Sequence, residues 1–75
     1  MRKNYNIYTL VGQNIKKYRK LKGMTQQDLA DASYLSHGYI REIESIKMAS
    51  TFSLDAVEKI ANGLQIKIKL LFEEE

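Results

Sequence analysis

The sequence predicts an all-α domain of five short helices. Three observations point there: apolar residues recur at helical spacing, hydroxyl or acidic capping residues precede those stretches, and glycines follow two of them. No proline interrupts the chain. The 75 residues suit one domain, without room for a second. We expect an arm over 1–8, the helical domain over 9–72 and an acidic tail over 73–75.

The first helix is expected to be capped by Thr9 and to run to Lys22, with Val11, Ile15, Tyr18 and Leu21 on its apolar stripe. Gln13, Lys16, Lys17 and Lys20 lie opposite, and Gly23 stands where such a helix stops. "TQQD" begins the second helix: Thr25 and Asp28 have capping-box spacing, with aspartate as a shorter stand-in for the usual glutamate. That helix covers about Gln26 to Ala32, with Leu29 and Ala30 inward. Ser36 caps a third, His37 to Glu44. A fourth begins near Ser53, carries Leu54, Val57, Ile60, Ala61 and Leu64 inward, and ends at Gly63. "QIKIKLLF" alternates like a strand, but an isolated strand would lack a partner, so a short helical turn is expected there.

Composition narrows the function. The chain has no cysteine, hence no disulfide or thiolate metal site, and its single histidine makes a zinc site improbable. No apolar run approaches the roughly 18 residues of a membrane span, and "MRKNYNIYTL" lacks the apolar core of a signal peptide. A cytoplasmic protein is expected. The net charge is +3, and Glu73, Glu74 and Glu75 account for −3, so the rest carries +6. Residues 1–22 hold seven basic residues and no acid. A basic body of this kind suits a polyanion. Enzyme chemistry finds no support: His37 has no nucleophile or metal partner at useful spacing, and no glycine-rich phosphate loop exists. No cofactor or small-molecule ligand is expected.

Helices two and three are separated by a three- to four-residue turn, the helix-turn-helix arrangement, which lets the second helix enter a DNA major groove. At about 100° per residue, Ile40 and Ile43 face inward while His37, Gly38, Arg41 and Glu42 share one outward arc. Arginine suits guanine O6 and N7, a carboxylate suits cytosine N4, and Gly38 leaves the backbone bare. These four are the candidate base-contacting residues. The competing reading is a solvated face containing a poor helix former.

"KKYRKLKGMTQQDLA" followed by "LSHGYIREIE" resembles the Xre/Cro-type helix-turn-helix regulators, over roughly residues 10–72. The resemblance implies a compact five-helix, lambda-repressor-like fold and a homodimer on pseudo-palindromic double-stranded DNA. It further implies that Gln26 binds a phosphate and braces the recognition helix, that Tyr39 meets phosphates, and that Lys47, Ser50 and Thr51 lie along the DNA backbone. Arg19 and Glu44 match a structural ion pair of that family. Arg2 and Lys3 are candidate DNA contacts of the arm. Ile66, Ile68, Leu70, Leu71 and Phe72 are more apolar than the end of a small monomer requires; part closes the core and the rest is a candidate dimer patch, as in the family. Two departures stand out. Tyr34 occupies a turn position where the family often has a φ > 0 glycine, and Ile46 replaces the glycine after the glutamate, in a loop about two residues longer than usual. By size, a restriction–modification controller is the nearest type. An antitoxin, a phage or plasmid repressor, or a protein-interaction module of the same fold are the alternatives.

Overall fold

The computed structural model describes residues 6–48 and 50–74. Among them are four α-helices, α1 (Ile7–Leu21), α2 (Gln26–Ser33), α3 (His37–Glu44) and α4 (Leu54–Leu64), then a 3-10 turn, Ile68–Phe72, and no strand. The described residues therefore form four α-helices rather than five helices, and the last segment, expected as a short helical turn, is this 3-10 turn. Its Leu70 N–H donates to the Lys67 carbonyl three residues back, the pattern of a 3-10 helix.

Each α-helix starts where a side chain satisfies an orphan backbone N–H. Thr25 accepts from the Asp28 N–H while the Asp28 carboxylate accepts from the Thr25 N–H, completing the capping box. Hydrogen bonding of the carboxylate by the Thr25 main-chain N–H first, and by the Thr25 side chain second, holds the Asp28 carboxyl below its ordinary pKa. Ser36 and Ser53 accept from the N–H groups of Tyr39 and Ala56. The cap of α1 is Asn6, which accepts from the Tyr8 N–H, rather than Thr9. The helix thus begins inside the segment expected to be an arm; residues 1–5, with Arg2 and Lys3, lie outside the described residues.

Three helices end alike. After α1, α2 and α4 the chain turns through a residue with positive φ, at Gly23, Tyr34 and Gln65. In each case the next residue's N–H reaches back five positions: Met24 to Arg19, Leu35 to Ala30 and Ile66 to Ala61. This is the Schellman closure, which satisfies carbonyls that the helix leaves open. Only the first has glycine. Gly63 does not end α4; it lies inside the helix, where an added Cβ would come within 3.2 Å of the α2 backbone at Ala32 and Ser33.

The core joins Val11 and Ile15 of α1, Leu29 of α2, Ile40 and Ile43 of α3, Val57, Ile60 and Leu64 of α4, and Leu71 of the 3-10 turn. α2 packs against α3 and α4, and α1 against α3 and the 3-10 turn. Leu21 and Leu54 depart from the expected stripes: both are exposed, being at or beside helix ends where no neighbouring element covers them, and Ala56 is buried instead. Among the described residues no helix is long and apolar enough to cross a membrane.

Candidate nucleic-acid interface

Glu44 closes α3 and is buried, as is Arg19 on α1. The guanidinium grips the carboxylate with both arms, Nε to Oε2 at 2.7 Å and Nη2 to Oε1 at 2.9 Å. Such a fork fixes direction as well as distance. The remaining arm, Nη1, donates to the Met24 carbonyl at 2.8 Å, tying the α1–α2 connection into the same cluster. Gln13 donates to the Glu44 main-chain carbonyl at 3.1 Å.

From Glu44 the chain of contacts runs outward. The Gln26 amide nitrogen donates to Oε1 at 3.1 Å, and the Gln26 amide oxygen stands 3.3 Å from Nε2 of His37. Gln26 and His37 are the first residues of α2 and α3. The buried pair thus holds together the starts of α2 and α3.

Close approach of α1 and α3 makes this cluster possible. Gly12 is buried against α3, and a Cβ there would overlap the Ile43 carbonyl oxygen. Composition alone did not expose this role. A glycine inside an otherwise good helix former sequence is the available signal, because it costs about 1 kcal/mol relative to alanine unless something needs the space. Asn14 was missed as well. It is buried and donates to the carbonyls of Leu71 at 2.8 Å and Glu73 at 2.9 Å, fastening the 3-10 turn to α1. Its signal is an amide set between Val11 and Ile15 on the apolar face.

On α3, Ile40 and Ile43 are buried, Arg41 is exposed, and His37, Gly38 and Glu42 are half-buried. A Cβ at Gly38 would meet only the distal end of Arg41, at 3.9 Å. No packing inside the protein requires glycine there. Tyr39 is half-buried and packs on the core. In the following loop Lys47 and Thr51 are exposed and Ser50 is half-buried. The Tyr34 turn between α2 and α3 has φ 60° and ψ 36°, with the side chain 90% exposed. A left-handed turn conformation is therefore held by a tyrosine whose side chain gains no packing from it.

The C-terminal apolar residues separate into two groups. Leu71 is fully buried in the core, so it is removed from the candidate dimer patch: the 3-10 geometry turns it onto α1 and α4. Ile66 and Phe72 pack partly on the core, Leu70 is half-buried and Ile68 is exposed. Beside Phe72 lies an apolar hollow of about 120 Å³, lined by Ile7, Tyr8, Val11, Phe52, Leu54 and Val57. Tyr8 and Phe52 meet edge to face in its wall, ring centres 5.0 Å apart. Among the described residues, no three or more of His, Cys, Asp and Glu form a group able to hold a metal ion.

This geometry has close counterparts. The helix-turn-helix family model matches residues 15–71. The transcriptional regulator SinR of Bacillus subtilis is 31% identical over 65 residues, 87% of this chain and 58% of that protein. The immunity repressor of Bacillus phage phi105 is 37% identical over 65 residues, 87% of this chain and 44% of that one. The chain therefore spans less than two thirds of either regulator. The crystal structure of the restriction-modification controller protein C.AhdI from Aeromonas hydrophila superposes with a TM-score of 0.81 at 31% identity, covering 91% of this chain and 100% of that one.

Proposed function

The chain belongs to the helix-turn-helix family, and from that premise we propose that it is a sequence-specific, double-stranded DNA-binding transcriptional regulator acting in the cytoplasm. The carrying observation is the hydrogen-bonded line Arg19–Glu44–Gln26–His37, which fixes the starts of α2 and α3 side by side. A recognition helix needs such bracing, because its base contacts depend on a defined posture in the groove. His37, Gly38, Arg41 and Glu42 read base edges. Gln26, Tyr39, Lys47, Ser50 and Thr51 contact phosphates.

Within this class, a restriction–modification controller is the reading we favour, supported by the full-length match to C.AhdI. The protein acts as a homodimer, with Ile68 and the outer edges of Ile66, Leu70 and Phe72 at the interface. Relatives named as a transcriptional regulator and an immunity repressor support a role without catalysis.

Gel shifts with genomic fragments at low and moderate salt test the reading. Binding is expected at low salt and should weaken steeply as salt rises, because phosphate contacts release counterions. In duplex selection, Arg41→Ala is expected to relax preference at one base pair, a loss of about 1–3 kcal/mol in discrimination. A folded protein that shifts no fragment at low salt would instead be a protein-interaction module.

A further inference from the structure

The contacts behind α3 run in one chemical direction. A guanidinium only donates hydrogen bonds and a carboxylate only accepts them. Gln26 meets Glu44 Oε1 at 3.1 Å, a bond that only its amide NH2 can make. The amide is thereby oriented with its oxygen toward Nε2 of His37, 3.3 Å away. That oxygen accepts, so His37 donates from Nε2. A neutral imidazole carries one ring proton, which leaves Nδ1 as a bare acceptor. Among the described residues, Nδ1 has no hydrogen-bond partner.

We infer that His37 reads the exocyclic amino group of a base, adenine N6 or cytosine N4, and that Gln26 is the positioning residue that sets this polarity. The inference rests on the proposed entry of α3 into the major groove. There adenine and cytosine offer an amino donor, whereas guanine O6 and thymine O4 are acceptors. An acceptor nitrogen bonds the first pair and meets the second lone pair to lone pair. Histidine by itself can present either polarity, since either nitrogen can carry the proton. The buried Arg19–Glu44 pair removes that choice through one amide. Gln26 keeps its second amide hydrogen for a phosphate.

His37 is the sole histidine of the chain, so its ring gives one set of nitrogen signals. In mildly alkaline buffer, long-range 15N–1H correlations of the free protein should show Nε2 protonated and Nδ1 bare, and Gln26→Ala should admit the other tautomer. A ring protonated at Nδ1 in the wild type would overturn the inference. Selection of duplexes from a random pool by wild type and His37→Ala identifies the base pair whose preference depends on the ring. Either kind of pair presents one amino base in the major groove, adenine or cytosine, so the amino group itself is then removed. Replacing adenine by purine, or cytosine by 2-pyrimidinone, removes only the amino group and separates the two sources. The matching replacement should weaken wild-type binding by about three- to ten-fold, the scale of one net hydrogen bond, and leave His37→Ala unchanged. Removal of the amino group that weakens wild type and His37→Ala alike, or that weakens neither, or the absence of any His37-dependent position, would overturn the inference while DNA binding stands. If folded wild type selects no duplex, the DNA-binding reading and this base assignment fall together, while the nitrogen spectra judge the Gln26–His37 contact alone.

Discussion

Glu44 accepts from Arg19 and Gln26 through its carboxylate and from Gln13 through its carbonyl, so one residue joins α1, α2 and α3. Removing it leaves the Arg19 charge buried without its partner. Breaking a buried pair costs about 3–5 kcal/mol, and in a domain this small each kilocalorie moves Tm by about 4–8 °C. Glu44→Ala is therefore expected to lower Tm by more than about 12 °C in a thermal melt followed by circular dichroism; an unchanged Tm would show that the pair contributes little. Tyr34 presents the opposite case. A non-glycine residue in the left-handed region costs about 1–3 kcal/mol, and this side chain is exposed. Glycine there relieves the strain but adds about 0.5–1 kcal/mol of unfolded-chain entropy. Tyr34→Gly should thus raise Tm by a few degrees, whereas Tyr34→Ala, which keeps a Cβ, should not. An equal rise in both would mean that backbone strain is not the cause.

Helix starts were largely legible because a cap is a local device: Thr25, Ser36 and Ser53 each accept the bond that their positions suggest. The start of α1 was not, because Asn6 and Thr9 are both competent caps. Tertiary packing decides between them, since Tyr8 rests on Phe52 and carries the helix back past Thr9. In the last segment the expected helical turn forms, but its 3-10 geometry has no local signal. Alternation over Ile66, Ile68 and Leu70 mimics a strand, and only the burial of Leu71 against α1 and α4 makes it a 3-10 turn. The outward arc of α3 could be placed by periodicity, but the Gln26–His37 contact joins the starts of two helices and has no local signature. Close backbone approach is equally silent, and Gly12 shows how much depends on it. In an ordinary helix interior, alanine would be better than glycine by about 1 kcal/mol. Here its methyl would overlap the Ile43 carbonyl oxygen, and forcing α1 and α3 apart costs about 1–3 kcal/mol. Gly12→Ala should lower Tm and also disturb the Arg19–Glu44 grip. If it stabilised the protein, the tight α1–α3 crossing would be wrong.

The size of the recognition helix limits what one molecule can read. α3 has eight residues, and at about 1.5 Å each it is about 12 Å long. A base pair occupies about 3.4 Å of duplex, so in the proposed posture one molecule would span three or four base pairs, too few to single out a genomic site. A second copy whose α3 lies one DNA turn away, about 34–36 Å, doubles the site and makes it pseudo-palindromic. Self-association requires an apolar surface that the protomer leaves uncovered. Ile68 meets that condition, being 39% exposed on the 3-10 turn, whereas Leu71 three residues on is spent on the core. A charge at Ile68 would be desolvated by dimerisation but remain hydrated in the monomer. Ile68→Glu is therefore expected to shift sedimentation from dimer to monomer, with little loss of Tm for the separated protomer. DNA affinity for a two-half-site duplex should fall by orders of magnitude, and that for a single half-site should change little. A variant that stays dimeric would place the interface elsewhere, with the apolar hollow beside Phe72 the next surface to mutate.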